Sequence, residues 1–309
     1  MKPVEDCYSK VKSACHKFIY SQETKTEKFK NKERMLKKFL IPFCFWIKSK
    51  VDKKKPFILG LAGGQGTGKT TVTSIVTIIL SKYFNLNVFK ISIDDFYKTR
   101  KERFQLSTKI HPLLMTRGVP GTHDTKIISN FLKGIKKNKF KKISVPKFDK
   151  SIDDRSPKNN WYKINKKPDV IILEGWCVGA RAQKNSDLKK SINSLESSKD
   201  YYLKWRKFVN VRLQKEYKKI FSQLNSFIYL KAKNFKILQQ WRLKQEKKLW
   251  LNSKKKKNLK IMSKGDVINF MQTYQRITQN MFKDAPKYAS IIFKLDSKHQ
   301  INSAIYKKK

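Results

Sequence analysis

Residues Gly63-Gly64-Gln65-Gly66-Thr67-Gly68-Lys69-Thr70 fit the pattern G-x-x-x-x-G-K-[ST], whose chemistry is the holding of phosphates. Glycines allow the backbone to approach phosphate oxygens closely, at angles that a Cβ would forbid. The segment follows an apolar run and opens a helical pattern, so backbone N–H groups and the helix dipole converge on one anion. In that arrangement Lys69 reaches the β- and γ-phosphates and the Thr70 hydroxyl ligates Mg²⁺. Residues 63–70, with Thr71 behind them, are therefore the candidate nucleotide-binding set.

A phosphate cradle names a nucleoside triphosphate but no reaction, so the carboxylates that end neighbouring strands decide more. Val88 to Ile93 runs into Asp94-Asp95-Phe96-Tyr97, and Val170 to Leu173 runs into Glu174-Gly175. Carboxylates at the carboxyl ends of parallel strands face the ligand crevice of an open α/β sheet. One can accept a proton from a substrate hydroxyl while the other holds Mg²⁺ or its waters.

The elements that must position these groups are legible in the apolar pattern. Phe57 to Ala62 is a short continuous apolar run of the kind a doubly covered parallel strand shows, and a helix is predicted from Lys69 to about Phe84. Val88 to Ile93, Val170 to Leu173 and Phe227 to Leu230 read as strands of the same sheet, and Ala289 to Leu295 as the last. The stretch from Tyr97 to Trp161 is irregular and reads as site-forming loops around a helix from about His123 to Lys137. Asp200 to Leu224 and Asn234 to Trp250 read as long helices. Lys254 to Lys257 reads as a solvated loop, and Ser263-x-x-Asp266 as a capping box. Val267, Phe270, Met271, Tyr274, Ile277 and Met281 follow at helical spacing as a core face. Residues 1 to about 50 read as a basic helical extension whose last turn docks on a main domain of residues 51–309.

The chain has 309 residues and 72 Lys+Arg against 23 Asp+Glu, a formal charge of +49. With 39% hydrophobic residues it can bury a substantial core, which excludes a disordered basic tail as a reading of the whole. Of the basic residues 62 are Lys and only ten Arg, and Ala numbers eight beside many Ile, Asn and Lys. That is the imprint of an AT-rich genome rather than of a nucleic-acid reader, which relies on Arg. Weak, salt-sensitive polyanion binding is expected from such a surface, and no specific nucleic-acid partner. Cys7, Cys15, Cys44 and Cys177 form no C-x-x-C pair, which argues against zinc and disulfide frameworks. The longest apolar run, Phe39 to Ile47, is nine residues long and broken by Pro42, so no membrane span is expected and a reducing cytoplasm is the default.

Leu61 to Thr70, Ser92-Ile93-Asp94-Asp95-Phe96-Tyr97, Arg117 to Asp124, Pro146-Lys147-Phe148-Asp149 with Arg155, and Leu173-Glu174-Gly175-Trp176 together resemble D-glycerate 3-kinase of the plant and cyanobacterial type. That family lies within the larger group of uridine kinase, phosphoribulokinase and bacterial pantothenate kinase. The likeness covers roughly residues 35 to 305, and the Arg117 to Asp124 segment is its most discriminating piece. It implies an α/β fold: a P-loop NTPase-type parallel sheet flanked by helices on both faces, with substrate loops at about 97–160 and a helical lid at about 232–262. It further implies that Asp94, rather than Asp95, is the catalytic base. A small anionic acid needs cationic or N–H donors near that base, and Arg117, Thr122, His123 and Arg155 are the candidates. From the lid, Arg242 in Trp241-Arg242-Leu243-Lys244-Gln245-Glu246 would swing onto the transferring phosphoryl group. The heavy Lys load, the Lys254 to Lys257 insertion and the long basic N-terminus depart from the family pattern.

The expected function is a cytoplasmic, Mg²⁺-dependent kinase that transfers the γ-phosphoryl of ATP to D-glycerate, giving 3-phosphoglycerate. Lys69, Thr70 and Glu174 organise phosphates and metal in that expectation. A uridine or pantothenate kinase-like activity is the alternative within the same class. An ATP-binding regulatory or nucleic-acid-associated protein is the alternative from another class, without an RNA-binding motif to carry it.

Overall fold

Among the described residues, five of the six strands of the main sheet run parallel because each is joined to the next by a helical crossover that returns over a sheet face. The computed structural model describes residues 2–24, 28–52, 54–137, 140–253 and 262–307, with only the helical backbone described for 248–253. The strands are β1 (Phe57–Gly63), β2 (Val88–Ser92), β3 (Val170–Gly175), β4 (Ser226–Lys231), β5 (Ile291–Leu295) and β6 (Ile301–Tyr306), in the spatial order β6-β5-β4-β1-β3-β2. Within that sheet, as far as the described residues go, β6 is the antiparallel strand, pairing with β5. The helices that matter below are α1 (Lys2–Gln22), α2 (Lys69–Lys82), α3 (Arg100–Lys109), α4 (Thr125–Ile135), α5 (Lys204–Arg212), α6 (Phe235–Ser253) and α7 (Lys264–Tyr288).

Alternate residues of the central strands feed two cores. Phe57, Leu59 and Leu61 of β1 and Val170 and Ile172 of β3 face one side, packed with α1, α2 and α6. Ile58 and Ala62, with Ile171 and Leu173, face the other side, packed with α4, α5 and α7. A strand covered on both faces has no polar face to show, so all seven residues of β1 are buried. The expected parallel α/β sheet is thus observed.

Several local expectations change. The helix predicted from Asp200 starts later, because Asp200 accepts hydrogen bonds from the Trp205 and Arg206 N–H groups and so caps α5 from upstream. It also passes through a π-helical turn, Leu213–Tyr217, before finishing as Lys218–Phe221. A helical turn with an extra residue re-aims its side chains, here Tyr217. The region expected to be mainly loops contains α3, started by a capping box between Thr99 and Glu102. Strand β6 lies beyond the expected last strand; its burial is mixed, as suits an edge. The expected capping box at Ser263 and Asp266 starts α7.

The N-terminal segment docks along its whole first helix and not only by its last turn. Cys7, Tyr8, Val11, Cys15 and Ile19 of α1 are buried at helical spacing, in the core that also contains Val72, Ile75, Val76 and Ile79 of α2. The Tyr83 hydroxyl at the end of α2 donates to Asp6 at 2.7 Å. Lys254 to Lys257, read from sequence as a solvated loop, lies outside the described residues. Among the described residues no helix is long and apolar enough to cross a membrane.

Candidate active site

The register of the sheet aligns the residues of interest. Leu61 of β1 pairs with Glu174 of β3, which in turn pairs with Ser92 of β2, while Gly63 pairs with Leu230 of β4. The P-loop, Glu174 and the Asp94 turn therefore share one edge of the crevice at the carboxyl ends of the strands.

At the P-loop, Gly68 has φ 79° and forms the N-cap of α2, leaving the first N–H groups of the helix directed at the loop. The Lys69 ammonium curls back on the Gly63 and Gly64 carbonyls at 2.9 and 3.0 Å. Burial pulls its pKa down, against the opposing charges of Glu174 and Asp94. The Thr70 hydroxyl donates to Glu174 Oε1 at 2.9 Å. Glu174 Oε2 is buried with no hydrogen-bond partner. Burial raises the Glu174 carboxyl, with Lys69 and Thr70 working against the rise. A buried carboxylate oxygen without a donor, beside a hydroxyl, suits a hard divalent cation. Among the described residues no group of three or more His, Cys, Asp and Glu side chains could form a protein-only metal cage. Mg²⁺ bound mainly by phosphates, waters and one or two protein oxygens needs none. Gln65 Oε1 and Thr67 complete the loop, the first buried without a partner and the second donating to Gly64 O at 2.8 Å.

Asp94 and Asp95 sit in the 3-10 turn Ile93–Phe96 that ends β2, and they face different neighbours. Asp94 accepts from the Tyr97 hydroxyl at 3.0 Å and from the Lys150 ammonium at 2.8 Å. Burial would raise its pKa, but Lys150, His123 and Tyr97 together hold it below the ordinary carboxylate value. Asp95 instead accepts from the Phe148 N–H at 3.3 Å, and burial pushes its carboxyl up to about 6.

The Arg117 to Asp124 segment wraps round this turn. Lys98 N–H donates to Thr122 O at 2.9 Å, Asp124 N–H to Phe96 O at 2.7 Å, and the Tyr97 and His123 rings stack at 4.4 Å. Gly118, at φ 142°, lies against Tyr274, so a side chain there would displace the ring, and its carbonyl accepts from Trp176 Nε1 at 3.0 Å. The Tyr217 hydroxyl lies 2.6 Å from His123 Nδ1 and accepts from Gly121 N–H at 3.1 Å.

The same packing settles how two residues expected from the sequence to meet the acceptor are placed. Thr122 is 0% exposed, and its hydroxyl is spent inside the turn, donating to Val119 O at 2.7 Å and accepting from Gly118 N–H. His123 is 1% exposed and sits behind Tyr97; burial pushes its imidazole down to about 4, so it is neutral. Both shape the wall behind Asp94, Thr122 with its hydroxyl satisfied and His123 with Nε2 buried and without a hydrogen-bond partner.

Arg117 and Arg155 line the site but are committed to protein partners. Arg117 pairs with Asp153 and lies over the Phe148 ring at 5.4 Å. Arg155 donates to Tyr97 O at 2.9 Å and lies 3.4 Å from Asp124. Behind them is Arg103, which no motif in the chain marks out. It is 0% exposed and donates to Lys98 O, Met115 O and Asp153 O at 3.3, 2.7 and 2.5 Å, besides pairing with the Asp153 carboxylate. Arg103 thereby ties the short pair Phe148–Asp149 and Asp154–Arg155 to α3. The other omission is Lys150, which directly follows Pro146-Lys147-Phe148-Asp149, so the signal was adjacent to a recognised motif.

Helix α6 closes over the P-loop. Gly66, at φ 78°, is packed so tightly that an added Cβ would lie 2.9 Å from Trp241 Cβ, and Trp241 stacks on His299 at 4.3 Å. Arg242 follows, paired with Glu246 and lying 5.8 Å from the Phe270 ring of α7.

No protein-family model matches the chain. The chain is 33% identical over 256 residues to an uncharacterized kinase, mug58, of Schizosaccharomyces pombe, which spans 80% of this chain and 85% of that protein. It is 26% identical over 230 residues to the chloroplastic D-glycerate 3-kinase of Arabidopsis thaliana, covering 67% of this chain and 47% of that one. In fold it matches a D-glycerate 3-kinase from Cryptococcus neoformans with TM-score 0.70 and 22% identity, over 87% of this chain and 97% of that one.

Proposed function

The chain belongs to the P-loop kinase family that its fission-yeast relative represents, and from that premise we propose that it transfers the γ-phosphoryl group of MgATP to the 3-hydroxyl of D-glycerate. Its class is that of an ATP-dependent small-molecule phosphotransferase acting on an alcohol group. The observation that carries the reaction is the pairing of an ionised carboxylate, Asp94, with a phosphate cradle on the same sheet edge. The acceptor is supported by the plant D-glycerate 3-kinase, whose likeness spans two thirds of the chain.

In this proposal the loop N–H groups of residues 63–71 and Lys69 hold the triphosphate, and Thr70 with Glu174 holds Mg²⁺. When bound, the metal supplies neutralisation of charge on the transferring group. Lys69 leaves the Gly63 and Gly64 carbonyls, which it contacts only in want of a stronger acceptor. Asp94 takes the proton of the acceptor hydroxyl as the oxygen attacks the γ-phosphorus in line and ADP departs. Arg117 and Arg155 hold the acceptor loops in place, and Arg242 exchanges Glu246 for the equatorial oxygens as α6 closes. We place the reaction in the cytoplasm, a reading that four unpaired buried thiols support.

The test is an ADP-release assay with Mg²⁺ and D-glycerate, uridine or pantothenate offered separately, with the phosphorylated product identified. Glycerate turnover giving the 3-phosphate is expected. Asp94→Asn should cut kcat about a hundredfold or more while leaving ATP binding intact, the scale of a lost general base. Turnover only with uridine or pantothenate would replace the acceptor, and near-normal turnover in the variant would remove Asp94 as base.

A further inference from the structure

The acceptor hydroxyl must come within about 3 Å of an Asp94 oxygen for its proton to be taken. Lys150 Nζ already stands there, 2.8 Å from Asp94 Oδ2, while the Tyr97 hydroxyl occupies Oδ1. An anionic acceptor approaching this carboxylate also meets the neighbouring Asp95 carboxylate in the same turn, so a cation must accompany it. Arg117 and Arg155 are engaged with Asp153, Asp124 and the Tyr97 carbonyl, and His123 is neutral. Lys69 is turned to the P-loop carbonyls. Lys150 differs from all of these: its side chain is 62% exposed and, among the described residues, its ammonium pairs with Asp94 alone, across the end of the 148–155 hairpin. An exposed ion pair of this kind contributes little stability and separates at little cost.

We infer that Lys150 selects the acceptor: its ammonium caps Asp94 until an acid binds, then passes to the acid's anionic group and leaves the Asp94 oxygen to the hydroxyl. This rests on the kinase reading given above but not on glycerate itself, since any hydroxy acid would satisfy it. A neutral alcohol offers the ammonium nothing in exchange for Asp94, so it leaves the base covered. The hairpin can carry out this exchange because its far strand is anchored: Arg103 and Arg117 both hold Asp153.

The experiment compares wild type, Lys150→Met and Lys150→Arg with each acid and its uncharged counterpart: D-glycerate against glycerol, and pantothenate against pantothenol. In Lys150→Met the KM for the acid should rise about tenfold or more, the scale of one lost charge-assisted hydrogen bond. The KM for ATP should stay unchanged, and the preference for acid over alcohol should collapse because the base is no longer covered. Lys150→Arg should restore the preference. An equal fall of kcat for acid and alcohol with KM for the acid unchanged would overturn the inference by placing Lys150 on the phosphoryl group. An unaltered preference would overturn it as well. Wild-type turnover of pantothenate but not glycerate, with the same Lys150 dependence, would refute glycerate as acceptor and uphold the inference; glycerate turnover indifferent to Lys150 would do the reverse.

Discussion

Asp95, half-buried, and His123, buried, flank the Asp94 turn and are displaced in opposite directions, and replacing one should expose the other. Burial pushes the Asp95 carboxyl up from 3.8 to about 6. Burial pushes the His123 imidazole down from 6.5 to about 4. Between 3.8 and 6 the folded chain keeps a proton on Asp95 that the unfolded chain has lost, so this contribution to stability is present in acid and lost as pH rises through 6. Between 4 and 6.5 the unfolded chain keeps a proton on His123 that the folded chain refuses, so this contribution is present above 6.5 and lost as pH falls through 4. At about 1.4 kcal/mol per pH unit, each is worth about 3 kcal/mol at its limit, and the two nearly cancel between them. Asp95→Asn removes one side of that balance while keeping an oxygen for the Phe148 N–H. Urea unfolding of wild type and variant between about pH 6.5 and about pH 4.5 isolates the Asp95 contribution, because the carboxylates remote from it titrate alike in both proteins and its neighbour Asp94 is held ionised below that range. The stability of wild type relative to the variant should grow by about 2 kcal/mol on acidification over that range. A gap that stays constant to within about 0.5 kcal/mol would refute the argument, since Asp95 would then titrate as an exposed carboxylate.

Glu174→Gln should weaken Mg²⁺ binding: the concentration giving half-maximal turnover should rise about tenfold or more, read from a metal titration at saturating ATP. Unchanged metal dependence would remove the orphaned Oε2 from that role. Arg103→Met should cost about 3 kcal/mol in urea unfolding, because it leaves three carbonyls and Asp153 without their buried donor. It should also raise KM for the acceptor more than KM for ATP, since the hairpin carrying Lys150 loses its anchor, and equal effects on both would contradict that placement.

The candidate phosphate-binding residues were legible in the chain because their chemistry is local. Gly63 to Thr70 must be contiguous to wrap one phosphate, and the apolar runs before Asp94 and Glu174 already mark strands whose ends converge. Parallel order and two-sided burial follow from continuous apolar strands separated by helical patterns, and β1 to β5 appear where that rhythm put them. What tertiary structure alone decided is the state of each polar group. Arg117, Arg155 and His123 look like free donors in one dimension, yet Asp153, the Tyr97 carbonyl and Tyr217 engage them from segments distant in the chain. Arg103 and Lys150 are two charges among dozens in the sequence, and only folding buries the first and brings the second to Asp94. The physical reason is that a motif specifies which atoms could react. Burial and the partners that packing supplies set a side chain's charge and accessibility, and both depend on contacts that no local pattern encodes.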